Sequence, residues 1–189
     1  MDANVSNSAL GSSTERLQKS LSDIEEAKRN LDHEVGTLIS PDGMVLKVYD
    51  GAEHSVGVPA SDQQMFEGNI FTHNHPGGRT FTLEDIIQFT EDKLREVRVS
   101  TPQGTFFSLR EGFGEINRTI SAVMKEEKVG SYTQAMKTLQ DQIEAQSLNL
   151  TGSEYQNLLF DAIADGVDKW LTENAAEFGY VYSKGVVKT

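Results

Sequence analysis

Cysteine is absent from the 189-residue chain, and no apolar run is long. Without thiols there is no disulfide framework, no thiolate metal site and no cysteine nucleophile. The apolar stretches fall well short of the roughly 18 residues that a membrane span requires, and the N-terminus lacks a basic segment followed by an apolar one. These absences predict a protein without a membrane partner that is retained in the cytoplasm.

Positive charge is also scarce. The chain carries 17 Lys and Arg against 29 Asp and Glu, a formal net charge of −12, and its basic residues form no cluster. Binding to nucleic acid draws much of its affinity from cationic contacts to phosphates, so we expect no nucleic-acid partner. Any bound metal must be held by His, Asp, Glu or water.

The N-terminal part divides into a tail and a helix. Residues 1–13, "MDANVSNSALGSS", lack periodicity and are rich in Ser, Asn and Ala, which predicts a disordered tail. Residues 14–33 contain apolar side chains at helical spacing among charges, which predicts an amphipathic helix. The apolar stripe consists of Leu17, Leu21, Ile24 and Leu31.

A mixed α/β pattern follows the helix. Short β-rich runs around Pro-Asp-Gly and Asp-Gly turns predict an antiparallel meander over residues 34–59, and residues 69–75 form an apolar run typical of a buried strand. Residues 82–94 are helical in pattern, and residues 96–110 predict two further strands. The sequence therefore predicts an α/β domain with a flanked, mainly antiparallel sheet over residues 14–112, and a helical C-terminal region over residues 113–189. The β-prone end "GYVYSKGVVKT" is left open as a further strand or a loose segment.

The stretch "NIFTHNHPGGRTFTLEDI" carries the strongest chemical signal. Residues i and i+2 of a strand point the same way, so His73 and His75 present both imidazoles to one face. Neutral imidazole is the commonest metal ligand, and two such groups favour a transition metal such as zinc. Pro76-Gly77-Gly78 ends the strand and permits a sharp reversal, which brings the next helix back beside the histidines.

Asp85 has two readings. With Thr82 as N-cap it is the third residue of the helix, and Thr-x-x-Asp is a capping-box pattern in which both side chains satisfy the backbone. Beside His-x-His, the same carboxylate predicts a third metal ligand. Three protein ligands with a fourth position for water are typical of a catalytic zinc site, whereas structural zinc is usually closed by four.

A hydrolytic site of this kind also needs a base. Glu34, where the first helix gives way to the first strand, is the candidate outside the coordination sphere, with Glu53 in reserve. A zincin motif at His33-Glu34 fails because residue 37 is threonine, and a zinc deaminase pattern fails for want of cysteines. His54 is most simply an exposed turn residue.

Glu34, then His-x-His-Pro, then Thr-x-x-Asp together resemble the JAMM motif of the JAB/MPN metalloproteases. The wording "HNHPGG...TLEDI" resembles in particular the bacterial and phage branch, with its RadC-type proteins and domains associated with phage head morphogenesis. The resemblance covers about residues 30–112 and implies a JAB/MPN-like fold. It implies that His73, His75 and Asp85 bind Zn²⁺ and that Glu34 is the catalytic base. Thr82 would stand where the family usually has the serine that hydrogen-bonds the developing oxyanion.

The resemblance implies a zinc-dependent peptidase or isopeptidase, with a peptide or protein substrate such as a ubiquitin-like or phage structural protein. The alternative is a catalytically weak or inactive JAB-like interaction module in a phage or bacterial assembly. Metal-dependent action on nucleic acid is suggested only by the RadC branch, and the acidic charge counts against it. The sequence gives no oligomeric state.

Overall fold

The computed structural model describes residues 3–146 and 149–187. Its helices are α1 (Ala3–Lys28), α2 (Leu83–Glu91), α3 (Ile120–Glu126), α4 (Tyr132–Gln146) and α5 (Gly152–Asn174). Short 3-10 helices occupy Ala60–Met65 and Ala175–Phe178. The strands are β1 (Val35–Ile39), β2 (Val45–Asp50), β3 (Ile70–Asn74), β4 (Glu96–Ser100), β5 (Thr105–Glu111) and β6 (Tyr180–Val186).

The six strands form one sheet in the order β2-β1-β3-β4-β5-β6. Only β3 and β4 pair in parallel, and the other neighbours are antiparallel. A parallel pair needs a crossover connection, and α2 lies in the connection between β3 and β4. The prediction of a mixed α/β fold, with a mainly antiparallel sheet flanked by helices and a helical C-terminal part, is confirmed.

The C-terminal segment contributes to the same sheet. β6 pairs antiparallel with β5 over its whole length, from Thr105↔Val186 to Glu111↔Tyr180. This settles the open question about "GYVYSKGVVKT": its first part is an edge strand, and residues 188–189 lie outside the described residues. One buried cluster joins residues on both sides of the boundary predicted at residue 112, so the two segments share a core. Its members include Leu38, Phe71, Ile86, Phe89, Val99, Leu109, Ile120, Val167, Leu171 and Tyr180.

Helix α1 covers the face of the sheet that is opposite to the main buried cluster. Leu17, Leu21 and Ile24 pack against Ile39 and Ile70, which confirms the predicted stripe for its first three members. The helix begins at Ala3 rather than near Thr14 and ends at Lys28 rather than His33. The stretch assigned to a disordered tail is thus mostly helical. It contains no proline, and extending an existing helix gains a hydrogen bond for each residue fixed, without a new nucleus.

A buried charge cluster also joins α1 to the sheet. Arg98 of β4 bonds both oxygens of Glu25 on α1, at 2.5 and 3.0 Å, and reaches Glu96 Oε1 at 3.0 Å. Breaking a buried ion pair leaves an uncompensated charge, so this contact disfavours arrangements that separate α1 from β4. None of the described helices combines the length and apolar character needed to cross a bilayer.

Candidate metal centre

Adjacent backbone segments bring Glu34 and the two histidines together. Glu34 directly precedes β1. Its backbone N–H donates to Ala52 O, with the nitrogen 2.8 Å from the oxygen, and its carbonyl accepts from the Gly51 N–H at 2.9 Å. His73 lies in β3, and His75 follows the strand. The His75 N–H donates to Ser100 O at 2.9 Å, which extends the β3–β4 pairing to this residue. The side chains of all three residues are largely buried.

One potential metal-binding atom from each of Glu34, His73 and His75, a carboxylate oxygen or an imidazole nitrogen, lies within 4.8 Å of the other two. The two Nε2 atoms are 3.0 Å apart, and His75 Nε2 lies 3.8 Å from Glu34 Oε1. Two imidazoles and a carboxylate in one buried space are a donor set that suits a metal ion. This buried Glu/His/His group could therefore hold one. The sequence predicted a metal site here, but with Asp85 as the third ligand and Glu34 outside the coordination sphere.

Asp85 is the fourth member of the site. Its Oδ1 lies 3.1 Å from His73 Nε2, and its Oδ2 lies 3.6 Å from His75 Nε2. Oδ2 also accepts hydrogen bonds from the Thr82 N–H at 2.7 Å and the Thr82 hydroxyl at 2.8 Å. The capping-box prediction for Asp85 is confirmed, and its two oxygens also face the histidines, while the ligand role stays a prediction.

His75 is held in one tautomer. Its Nδ1 lies 3.1 Å from both Arg79 O and Thr80 O. A carbonyl oxygen can only accept a hydrogen bond, so Nδ1 carries the proton and Nε2 presents its lone pair to the site. Backbone acceptors of this kind orient metal-binding histidines in many proteins. Burial, reinforced by a positive charge on His73, lowers the pKa of His75 to about 4, so His75 is neutral at pH 7.

His73 is enclosed more completely than His75. Its ring stacks on Phe71, with centroids 5.5 Å apart, and its Nδ1 has no hydrogen-bond partner among the described residues. Burial alone would lower the pKa of His73, but the carboxylates of Asp85 and Glu34 outweigh it and raise the pKa. Burial alone would likewise raise the pKa of Asp85, but His73 holds it below its usual range. The site therefore attracts positive charge between its carboxylates.

Glu34 differs from Asp85 in its protonation. Burial, with a smaller contribution from the negative charge of Asp85, raises the pKa of Glu34 to about 7 although His73 opposes the shift. A carboxyl group whose pKa lies near the working pH can both accept and release a proton. Glu34 thus has the property that a general base requires.

Asn74 is a site residue that the sequence analysis missed. Its side-chain oxygen accepts from the Val35 N–H at 2.8 Å, and its amide donates to His33 O at 2.8 Å. The two bonds bracket Glu34 on both sides, so Asn74 fixes the backbone that carries this carboxylate. A polar residue at the end of a buried strand, between two histidines, was the available signal.

The remaining sequence candidates lie elsewhere. Glu53 and His54 are about three-quarters exposed in the turn after β2, where they form a weak pair with each other at 3.5 Å. The reserve candidate Glu53 therefore does not reach the histidines, and His54 is the exposed turn residue that the sequence predicted.

Thr82 is engaged in the helix cap, since its Oγ1 accepts from the Asp85 N–H at 3.2 Å and donates to Asp85 Oδ2. We expect Thr82→Ala to lower the free energy of unfolding by about 1 kcal/mol, as loss of an N-cap does, and Thr82→Ser to preserve it within a few tenths. Urea unfolding of the metal-free proteins measures the difference. Equal stability of the alanine variant and the parent would show that the cap contributes nothing.

Comparisons of the chain with protein-family models, with curated proteins and with solved structures found no match. The JAB/MPN resemblance therefore stays a prediction. The geometry alone supports a coarser statement: a buried cluster of two histidines and two carboxylates, in which Glu34, His73 and His75 form a group able to hold a metal ion.

Proposed function

We propose that this protein is a zinc-dependent hydrolase of JAMM type that cleaves a peptide or isopeptide bond with a metal-activated water. The observation that carries the proposal is the convergence of Glu34, His73, His75 and Asp85 at one buried point. These are the four residues to which the motif resemblance assigns a ligand or base role.

In this proposal His73, His75 and Asp85 would hold the zinc, because Asp85 lies nearer to the histidines than Glu34 does, and Glu34 would stand beside the metal as the base. Two nitrogens that share a tetrahedral zinc at the usual bond length lie about 3.3 Å apart. The 3.0 Å between the histidine Nε2 atoms and the 3.1 Å from His73 Nε2 to Asp85 Oδ1 are close to that separation. Imidazole and carboxylate ligands without thiolate suit zinc, although they suit other divalent metals as well.

When bound, zinc acts as a Lewis acid that polarises a carbonyl oxygen and lowers the pKa of a coordinated water. Glu34 takes the proton from the attacking water and passes it to the leaving amine. Its raised pKa suits both transfers, and Asn74 keeps the Glu34 backbone in place during them. The neutral imidazole of His75, with its proton fixed on Nδ1, keeps Nε2 directed at the site throughout.

Metal content and metal-dependent cleavage test this proposal together. Protein purified without added metal is expected to contain close to one zinc per chain by elemental analysis. It should cleave members of a peptide library or ubiquitin-like conjugates, lose this activity to a chelator and regain it with zinc. A protein that binds no zinc even when zinc is supplied would contradict the proposal.

A second candidate is a metal-binding interaction module with little or no catalysis. The observation in its favour is the number of exposed apolar side chains on or beside β2, at the edge of the sheet: Met44, Val45, Leu46 and Val48. Exposed apolar surface on an edge strand is often covered by a partner. Zinc binding without hydrolysis of any substrate offered would support this candidate over the first.

A further inference from the structure

The loop between His75 and α2 supplies the acceptors for the His75 ring. Arg79 O and Thr80 O both lie 3.1 Å from His75 Nδ1. The loop belongs to no helix or strand, and Gly78 adopts a left-handed conformation at φ +76°. The turn bond from the Gly78 N–H to His75 O and the burial of Phe81 hold part of the loop, and contacts from outside it hold Arg79 and Thr80.

The C-terminal segment holds Arg79 by three contacts. Its Nε lies 2.8 Å from Asp161 Oδ1 of α5, its Nη2 donates to Asn157 O at 3.3 Å, and its guanidinium lies 5.4 Å from the centre of the Phe160 ring. An isolated ion pair at the surface contributes little to stability. Here three contacts hold the side chain of one residue, and the backbone carbonyl of that residue contacts His75, a proposed metal ligand.

Strand β6 holds the next residue. The Thr80 hydroxyl lies 3.1 Å from the Tyr182 hydroxyl, and Tyr182 donates to Asp168 Oδ1 of α5. Lys184 Nζ lies 3.0 Å from the other Asp168 oxygen, which ties β6 and α5 together. Both residues that accept from His75 are thus fixed by side chains from the last forty residues of the chain.

We propose that Arg79, with Asp161, and Thr80, with Tyr182, are positioning residues that let the C-terminal segment set the metal affinity of the site. They act through the backbone carbonyls of the loop, which hold the His75 proton on Nδ1 and the Nε2 lone pair toward the metal. This inference rests on the proposed metal binding. It gives α5 and β6 a function in building the site.

Zinc affinity and the cobalt spectrum test this role in the full-length chain. Arg79→Ala and Tyr182→Phe are each expected to weaken zinc binding several-fold, up to roughly tenfold, the lower end of the effect of removing a direct partner of a ligand, because the two carbonyls remain and lose only their anchors. Competition with a chromophoric chelator measures this change. The visible bands of the Co²⁺-substituted protein should shift as well, because they respond to ligand geometry rather than to stability.

Arg118→Ala is the matched control, since Arg118 forms a comparable ion pair with Glu111 at 2.6 Å outside the loop. It should leave the zinc affinity and the cobalt bands unchanged. Asp161→Asn tests the same contact if Arg79→Ala fails to fold, because Asp161 lies on an exposed part of α5 where the substitution should be tolerated. Its effect on affinity should not add to that of Arg79→Ala, because both remove the same contact.

The outcomes separate the two proposals. A parent protein that binds no zinc contradicts the proposed function itself. A parent that binds zinc, with Arg79→Ala, Asp161→Asn and Tyr182→Phe equal to it in affinity and cobalt spectrum, overturns the positioning role and leaves the proposed function standing.

Discussion

Glu34→Gln is expected to reduce peptide or isopeptide cleavage by about two to four orders of magnitude, the range attributed to a positioned general base, while zinc stays bound. Glutamine has nearly the shape of glutamate, and the Asn74 contacts to the neighbouring backbone do not involve the Glu34 side chain. The variant therefore removes the proton acceptor and little else. The burial that raises the pKa of Glu34 to about 7 should also favour the uncharged amide in the metal-free protein.

The measurement is the initial cleavage rate at saturating substrate, together with zinc content by elemental analysis. Glu53→Gln is the matched control, because it makes the same chemical change at an exposed carboxylate. It should cleave at the parental rate. A Glu34→Gln protein that cleaves as fast as the parent would show that another group accepts the proton.

His75→Ala is expected to weaken zinc binding by more than about a hundredfold, beyond the effect of removing an outer partner of a ligand. The substitution removes one of two imidazoles and leaves the Arg79 and Thr80 carbonyls without their donor. Cleavage should fall with the metal occupancy. Zinc titration followed by chelator competition measures the first effect, and activity at high zinc measures the second.

His54→Ala is the control for His75→Ala, since His54 is the exposed histidine of a turn. Circular dichroism of the metal-free variants distinguishes loss of a ligand from loss of the fold. Unchanged zinc stoichiometry and affinity in a folded His75→Ala protein would mean that the histidine pair is not the ligand pair.

The local parts of the site could be predicted because short patterns determine them. Alternation places His73 and His75 on one face, and the Thr82 cap places Asp85 in the first turn of α2. Whether Asp85 caps or binds could not be decided from the pattern, since each role needs only one or two carboxylate oxygens. The structure shows the capping box and places the same carboxylate beside both histidines.

The distant parts of the site were harder to predict. Glu34 approaches His75 only through the pairing of β1 with β3, and sequence alone does not fix which residues pair. The contribution of Asn74 depends on the same pairing. The C-terminal segment looked separate because its helices have their own apolar stripes, yet Leu171 and Tyr180 lie in the main core. The start of α1 was placed too late because a polar helix without strong periodicity resembles a tail.

The bonds from Asn74 to either side of Glu34 also make the site a test of correct assembly. Thr37 pairs with Thr72 in the ladder between β1 and β3, and continuing that pairing brings Val35 opposite Asn74. A slip of one residue would set a histidine opposite Val35 and move Glu34 away from its partners. Misfolded molecules would then lack the complete set of side chains, so under the proposed metal binding the fraction of chains that takes up metal would measure the fraction that folded in the native register.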